Sequence, residues 1–107
     1  TLELYFKILL NAKELVEKSG GEIIFVYHPH LTRYLGTYAY QFGERQYGEI
    51  LQRTKNLNIK TIDIKQNLFD RVENPKMLYH FGLPGHPSEL GYKLTAEYFT
   101  KILKKTK

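Results

Sequence analysis

The chain predicts a layered α/β fold, and three features carry that expectation. A continuous β-branched and aromatic run, Ile23 to Tyr27, is bounded by Gly21 and Pro29. A second short apolar stretch, IKTIDI, follows later. Amphipathic segments stand before, between and after these two runs, which are too short and too apolar to exist outside a layered fold.

The first segment, from residue 2 to about 18, carries Leu2, Tyr5, Phe6, Leu9, Leu10, Ala12, Leu15 and Val16. Spacings of three and four place them on one stripe of a helix, and Gly20-Gly21 stops it. In GEIIFVYHPH the run from about 22 to 28 reads as a parallel strand covered on both faces. LTRYLGTYAYQFGER is aromatic, glycine-spotted and without a period, so it predicts a loop passing into a helix at about 41 to 56, with Tyr47, Ile50, Leu51 and Thr54 inward. IKTIDI, residues 59 to 64, is the second strand. Residues 65 to 85 look irregular, with a short turn at QNLFDRV. From Ser88 to about Lys105 the chain predicts a final helix, with Leu90, Leu94, Tyr98 and Ile102 stacked at i+4 spacing and Gly91 allowing close packing. The whole, residues 1–107, reads as one domain.

Composition narrows the function classes. At 107 residues and 42% hydrophobic the chain is rich enough for a core. No run approaches a membrane span, and the mixed acids and bases of the first twenty residues do not form a secretory signal. There is no cysteine, which removes disulfide and thiolate chemistry and leaves the compartment open. The charge of +5 owes four lysines to KILKKTK, and the other basic residues are interspersed with acids. That pattern is a solvated helix end rather than a nucleic-acid surface.

Two parallel strands leave sheet edges and faces uncovered. More strands of a longer parent preceding Thr1, or a second copy of the chain, are therefore expected to complete the sheet. A dimer or larger assembly would use the helix at residues 2 to 18 or the IIFVY edge. Tyr34, Tyr38 and Tyr40 suggest a partner-facing loop.

One stretch carries a motif. GHPSELGYKLTAEYF sets His86 before a serine-led helix. With IIFVYHPH and TIDI in order before it, most of the chain resembles the C-terminal half of the SGNH hydrolases, also called GDSL-type esterases and lipases. In that family a histidine precedes a small polar cap, a glycine and an apolar helix. His86, Ser88, Gly91 and Ala96-Glu97 stand at those places. The resemblance implies the C-terminal part of a three-layer α/β/α sheet, with two parallel strands and about three helices. It also implies a serine ester hydrolase or O-acyltransferase in which His86 is the general base, acting on a small-molecule or glycan ester. No cofactor and no metal is implied.

Leu83 stands where the family has its triad aspartate, and the nucleophile, oxyanion and Gly-x-Asn-Asp blocks would lie before Thr1. The two serines are Ser19, at a helix end, and Ser88, which reads as a cap. The chain alone therefore has no nucleophile and is expected to be inactive. Asp63 and Asp70 are the candidate replacements for the acid. His28 and His30 lack a nearby carboxylate for a metal site. With Arg33 they follow a strand's carboxyl end, where α/β sheets bind ligands, and so are candidate substrate-binding walls. The alternative function is a non-catalytic α/β interaction domain that has lost the acid and nucleophile. A flavodoxin-like half is weaker, since YHPHLTR lacks a phosphate-binding pattern.

Overall fold

A computed structural model describes residues 2–35, 37–82 and 86–105, with the backbone alone at 32, 37–44, 82 and 105. The chain is mixed α/β and mostly helical. Helix α1 spans Leu2–Lys18, strand β1 Ile24–Tyr27, helix α2 Thr37–Asn56, strand β2 Lys60–Asp63, the one-turn helix α3 Ile64–Asn67 and helix α4 Glu89–Lys105. Short 3₁₀ turns occupy Leu31–Tyr34, Phe69–Arg71, Pro75–Leu78 and His80–Gly82. Among the described residues no helix is long and apolar enough to cross a membrane.

The strands pair in parallel, Ile24 with Lys60 through Tyr27 with Asp63, and α2 makes the crossover between them. Parallel neighbours need such a connection because the second strand must restart at the same end of the sheet. Helix α2 begins at Thr37 rather than near residue 41. Glycine and aromatic residues argued for a loop there, but intrinsic propensity is a weak term that the surrounding fold overrides. Leu51 and Thr54 are buried, with Tyr47 and Ile50 partly so, as their spacing predicts.

The core gathers Leu31, Ile62, Ile64, Phe69, Leu78 and Tyr79, with Leu94, Tyr98, Phe99 and Ile102 of α4 packed against it. Leu90, expected in that stripe, is exposed at the rim. The segment after β2, which looks irregular in sequence, supplies Phe69, Leu78 and Tyr79 from successive turns. Helix-like periodicity could not reveal them, because each short turn buries only one or two residues.

Two expectations of burial are corrected. Strand β1 is not covered on both faces: none of its residues is fully buried, and Val26 is exposed. The α1 stripe is half-covered: Phe6 is buried, Leu2, Leu9, Leu10, Ala12 and Val16 are partly buried, and Tyr5 and Leu15 are exposed, while Leu4 and Ile8, which lie off that stripe, also face solvent. The Phe6 ring lies beneath the Arg53 guanidinium of α2, whose carbon is 4.3 Å from the ring centroid, and Arg53 also pairs with Glu3 at 2.9 Å. A hydrophobic stripe fixes which side of a helix would be buried, without requiring that a partner be present.

Candidate active site

The carboxyl ends of β1 and β2 open into a polar and aromatic cluster. From β1, Tyr27 accepts a 2.7 Å hydrogen bond from Arg33 Nη1. From α2, the Tyr47 hydroxyl donates to Asp63 Oδ2 at the end of β2, while Asp63 Oδ1 accepts from Gln66 N–H and caps α3. Lys65 reaches Asp70 Oδ2 at 2.9 Å, and the Tyr34 hydroxyl donates to Asp70 Oδ1 at the same distance. Lys65 Nζ lies 4.9 Å from the Tyr47 ring centroid and Arg33 Cζ lies 5.5 Å from it, so both cations face the ring's negative face.

Arg33 and Lys65 are only 5% and 4% exposed. A buried charge requires a counter-charge or a hydrogen-bonding shell: the Asp70 carboxylate gives Lys65 the first, and the Tyr27 hydroxyl bonds Arg33. Burial, followed by the Asp70 bond, pushes the Tyr34 hydroxyl's pKa well up; burial also raises that of Tyr79. Both therefore remain protonated donors at neutral pH. Tyr34, expected on a partner-facing loop, instead packs against the core and bonds Asp70. The Tyr38 and Tyr40 side chains lie outside the described residues.

The candidate walls occupy different depths. The His28 ring packs edge-on to Phe69 at 5.0 Å, and its Nδ1 donates to the Pro29 carbonyl at 3.0 Å. Desolvation lowers its pKa, against a smaller opposing effect of that bond. His30 is exposed, and its carbonyl accepts from Arg33 N–H. Arg33 lies beneath them in the buried cluster.

His86 is set by backbone contacts. Tyr79 and Pro87 form an antiparallel bridge, His80 N–H donates to the His86 carbonyl at 3.0 Å, and Ser88 N–H donates to Leu78 O at 2.8 Å. Tyr79 extends the connection to β1, because its hydroxyl donates to the Pro29 carbonyl. The His86 backbone is thereby tied to the strand end, with its side chain exposed.

The helix that follows is locked at its first turn. Ser88 Oγ accepts from Gly91 N–H at 3.1 Å and donates to Met77 O at 2.7 Å. This is the predicted cap. Pro87 precedes the helix, which begins at Glu89. A Cβ at Gly91 would stand 2.2 Å from Leu78 O, so the predicted close packing is against backbone.

The serines and aspartates are committed elsewhere. Ser19 Oγ bonds Leu15 O, while Ser88 performs its two structural tasks. Both oxygens of Asp63 and of Asp70 are engaged as described, and among the described residues no hydrogen bond joins either to His86. Leu83 lies outside the described residues. Among the described residues no three His, Asp or Glu side chains gather to hold a metal. Sequence reasoning missed Lys65 as a buried cation, because a charged side chain reads as surface until the fold encloses it. No family model, curated protein or solved structure matches this chain.

Proposed function

We propose that these residues form the C-terminal portion of a serine ester hydrolase or O-acyltransferase of the SGNH type, within a three-layer α/β/α sheet, and supply His86 as general base. The observation that carries the reading is the exposed imidazole on a backbone clamped by the Tyr79–Pro87 bridge, next to the capped start of α4. A general base needs a fixed position and access to the proton it removes. In the reaction, His86 takes the hydroxyl proton of a serine outside this chain as its oxygen attacks the ester carbonyl, then returns a proton to the leaving alkoxide. His28 and His30 border the substrate at the strand ends, and Arg33 holds that border from beneath through Tyr27.

The polypeptide carrying both this segment and the nucleophile provides the test. His86→Ala is expected to lower kcat/KM for p-nitrophenyl acetate by about 10³-fold or more with an unchanged melting temperature. Undiminished hydrolysis would refute the role.

The engagement of Asp63 and Asp70 favours a second reading, a non-catalytic interaction domain that kept the fold. It predicts no His86-dependent hydrolysis in that polypeptide. Either reading includes association, as a homo-oligomer or with preceding strands, because β1 and β2 each pair on one side only among the described residues and the outer face of α1 is apolar.

A further inference from the structure

Three described residues have positive φ: Gly20 at 85°, Asn58 at 59° and Phe81 at 53°. The first two close helices. Gly20 and Gly21 N–H groups return to Glu17 and Val16 carbonyls at the end of α1, and Asn58 N–H returns to Lys55 O at the end of α2. Glycine and asparagine are the residue types that tolerate this conformation. Phe81, with ψ of 22°, is not of that kind.

Nor does the Phe81 ring contribute to the core. It is 83% exposed and stacks on the adjacent His80 ring at 4.1 Å between centroids. The chain thus holds a bulky apolar side chain in a strained backbone and in water, immediately before Gly82, which could adopt such a turn freely. Strain of this sort gathers at functional sites because the surrounding structure must maintain it. Its location agrees: His80 N–H donates to the His86 carbonyl, so Phe81 follows directly on the residue that fixes His86.

We propose that Phe81 is a specificity-determining residue that contacts the apolar acyl group of the ester whose hydrolysis His86 serves as general base. This rests on the reading of His86 as general base. A phenyl ring has no hydrogen-bonding group, so it selects apolar surface; an acyl chain laid across it removes both surfaces from water. Acetyl esters are too short to gain from the ring, whereas longer acyl groups bind through it.

The polypeptide carrying this segment and the nucleophile is assayed on p-nitrophenyl acetate and p-nitrophenyl octanoate. Phe81→Ala is expected to reduce kcat/KM for octanoate about tenfold more than for acetate, mainly through KM. Phe81→Gly is expected to give the same selective loss with an unchanged or higher melting temperature, since it relieves the backbone. Equal or absent effects on the two esters overturn the role of Phe81, while a His86→Ala loss in the same assay keeps the reading of His86 intact. If His86→Ala loses nothing, both fall. A lower melting temperature in Phe81→Gly overturns the view that the ring serves substrate rather than fold.

Discussion

Helices α1 and α4 are each 17 residues long and amphipathic, yet they are held in opposite ways. Helix α4 packs Leu94, Tyr98, Phe99 and Ile102 against the core, and its first turn is fixed by Ser88 and Gly91. Helix α1 is attached through Phe6 and Arg53 and leaves Leu15 67% exposed. The difference lies in the neighbours. The turns carrying Leu78 and Tyr79 meet α4 with backbone acceptors as well as apolar side chains, whereas α1 faces solvent along its outer stripe.

The contrast can be broken most severely at Gly91. An alanine Cβ would press on the Leu78 carbonyl, and either that turn or α4 must move. Gly91→Ala is expected to cost about 3 kcal/mol, measured by denaturant unfolding, and to loosen the backbone that sets His86. A neutral substitution would show that the first turn of α4 is not tightly seated.

Asp70→Ala comes next. It removes the carboxylate 2.9 Å from the buried Lys65 ammonium and also releases Tyr34. The expected loss is about 2 kcal/mol, below that of a fully buried pair because Asp70 is partly open to water. Chemical denaturation checks it, and Lys65→Met is expected to lose less, since it removes the buried charge itself.

Leu15→Lys tests the open helix. Within one chain its effect on stability is expected to lie within about 0.5 kcal/mol. In sedimentation at micromolar concentration the wild-type chain is expected to be a dimer or larger and the variant to dissociate more readily. A wild-type monomer that melts cooperatively would remove α1 from any role in association.

The smallest effect concerns His28. Its folded pKa lies below the ordinary 6.5 because its ring is desolvated, so the unfolded chain takes up a proton more readily. Stability is complete above that value and falls as pH decreases through it toward the folded pKa. His28 is only partly withdrawn from water, so this slope is shallow. His28→Asn is expected to flatten it in melting curves recorded between about pH 5 and 7.

Legibility in the sequence followed the number of residues that state the same thing. Strands β1 and β2, the final helix, the Ser88 cap and the tight glycine were readable because period, bounding residues and cap agree. Phe69, Leu78 and Tyr79 were not, because the short turns carrying them have no repeat to expose. The Lys65–Asp70 pair was hidden for a different reason: charged residues read as surface until a fold encloses them. Amphipathicity gave the inner side of α1, where Phe6 is buried and Leu9, Leu10 and Val16 are partly so, and did not reveal the second apolar row of Leu4, Ile8 and Leu15 in solvent.

Chemical rescue, in the polypeptide that carries the nucleophile, probes the proposed role of His86 as a base held by the clamp around Tyr79 and Pro87. His86→Ala is expected to lose about 10³-fold in ester hydrolysis and to regain part of it when imidazole is added, because the free base occupies the vacated position. Hydrolysis that persists at the wild-type rate in His86→Ala would show that His86 is not the base.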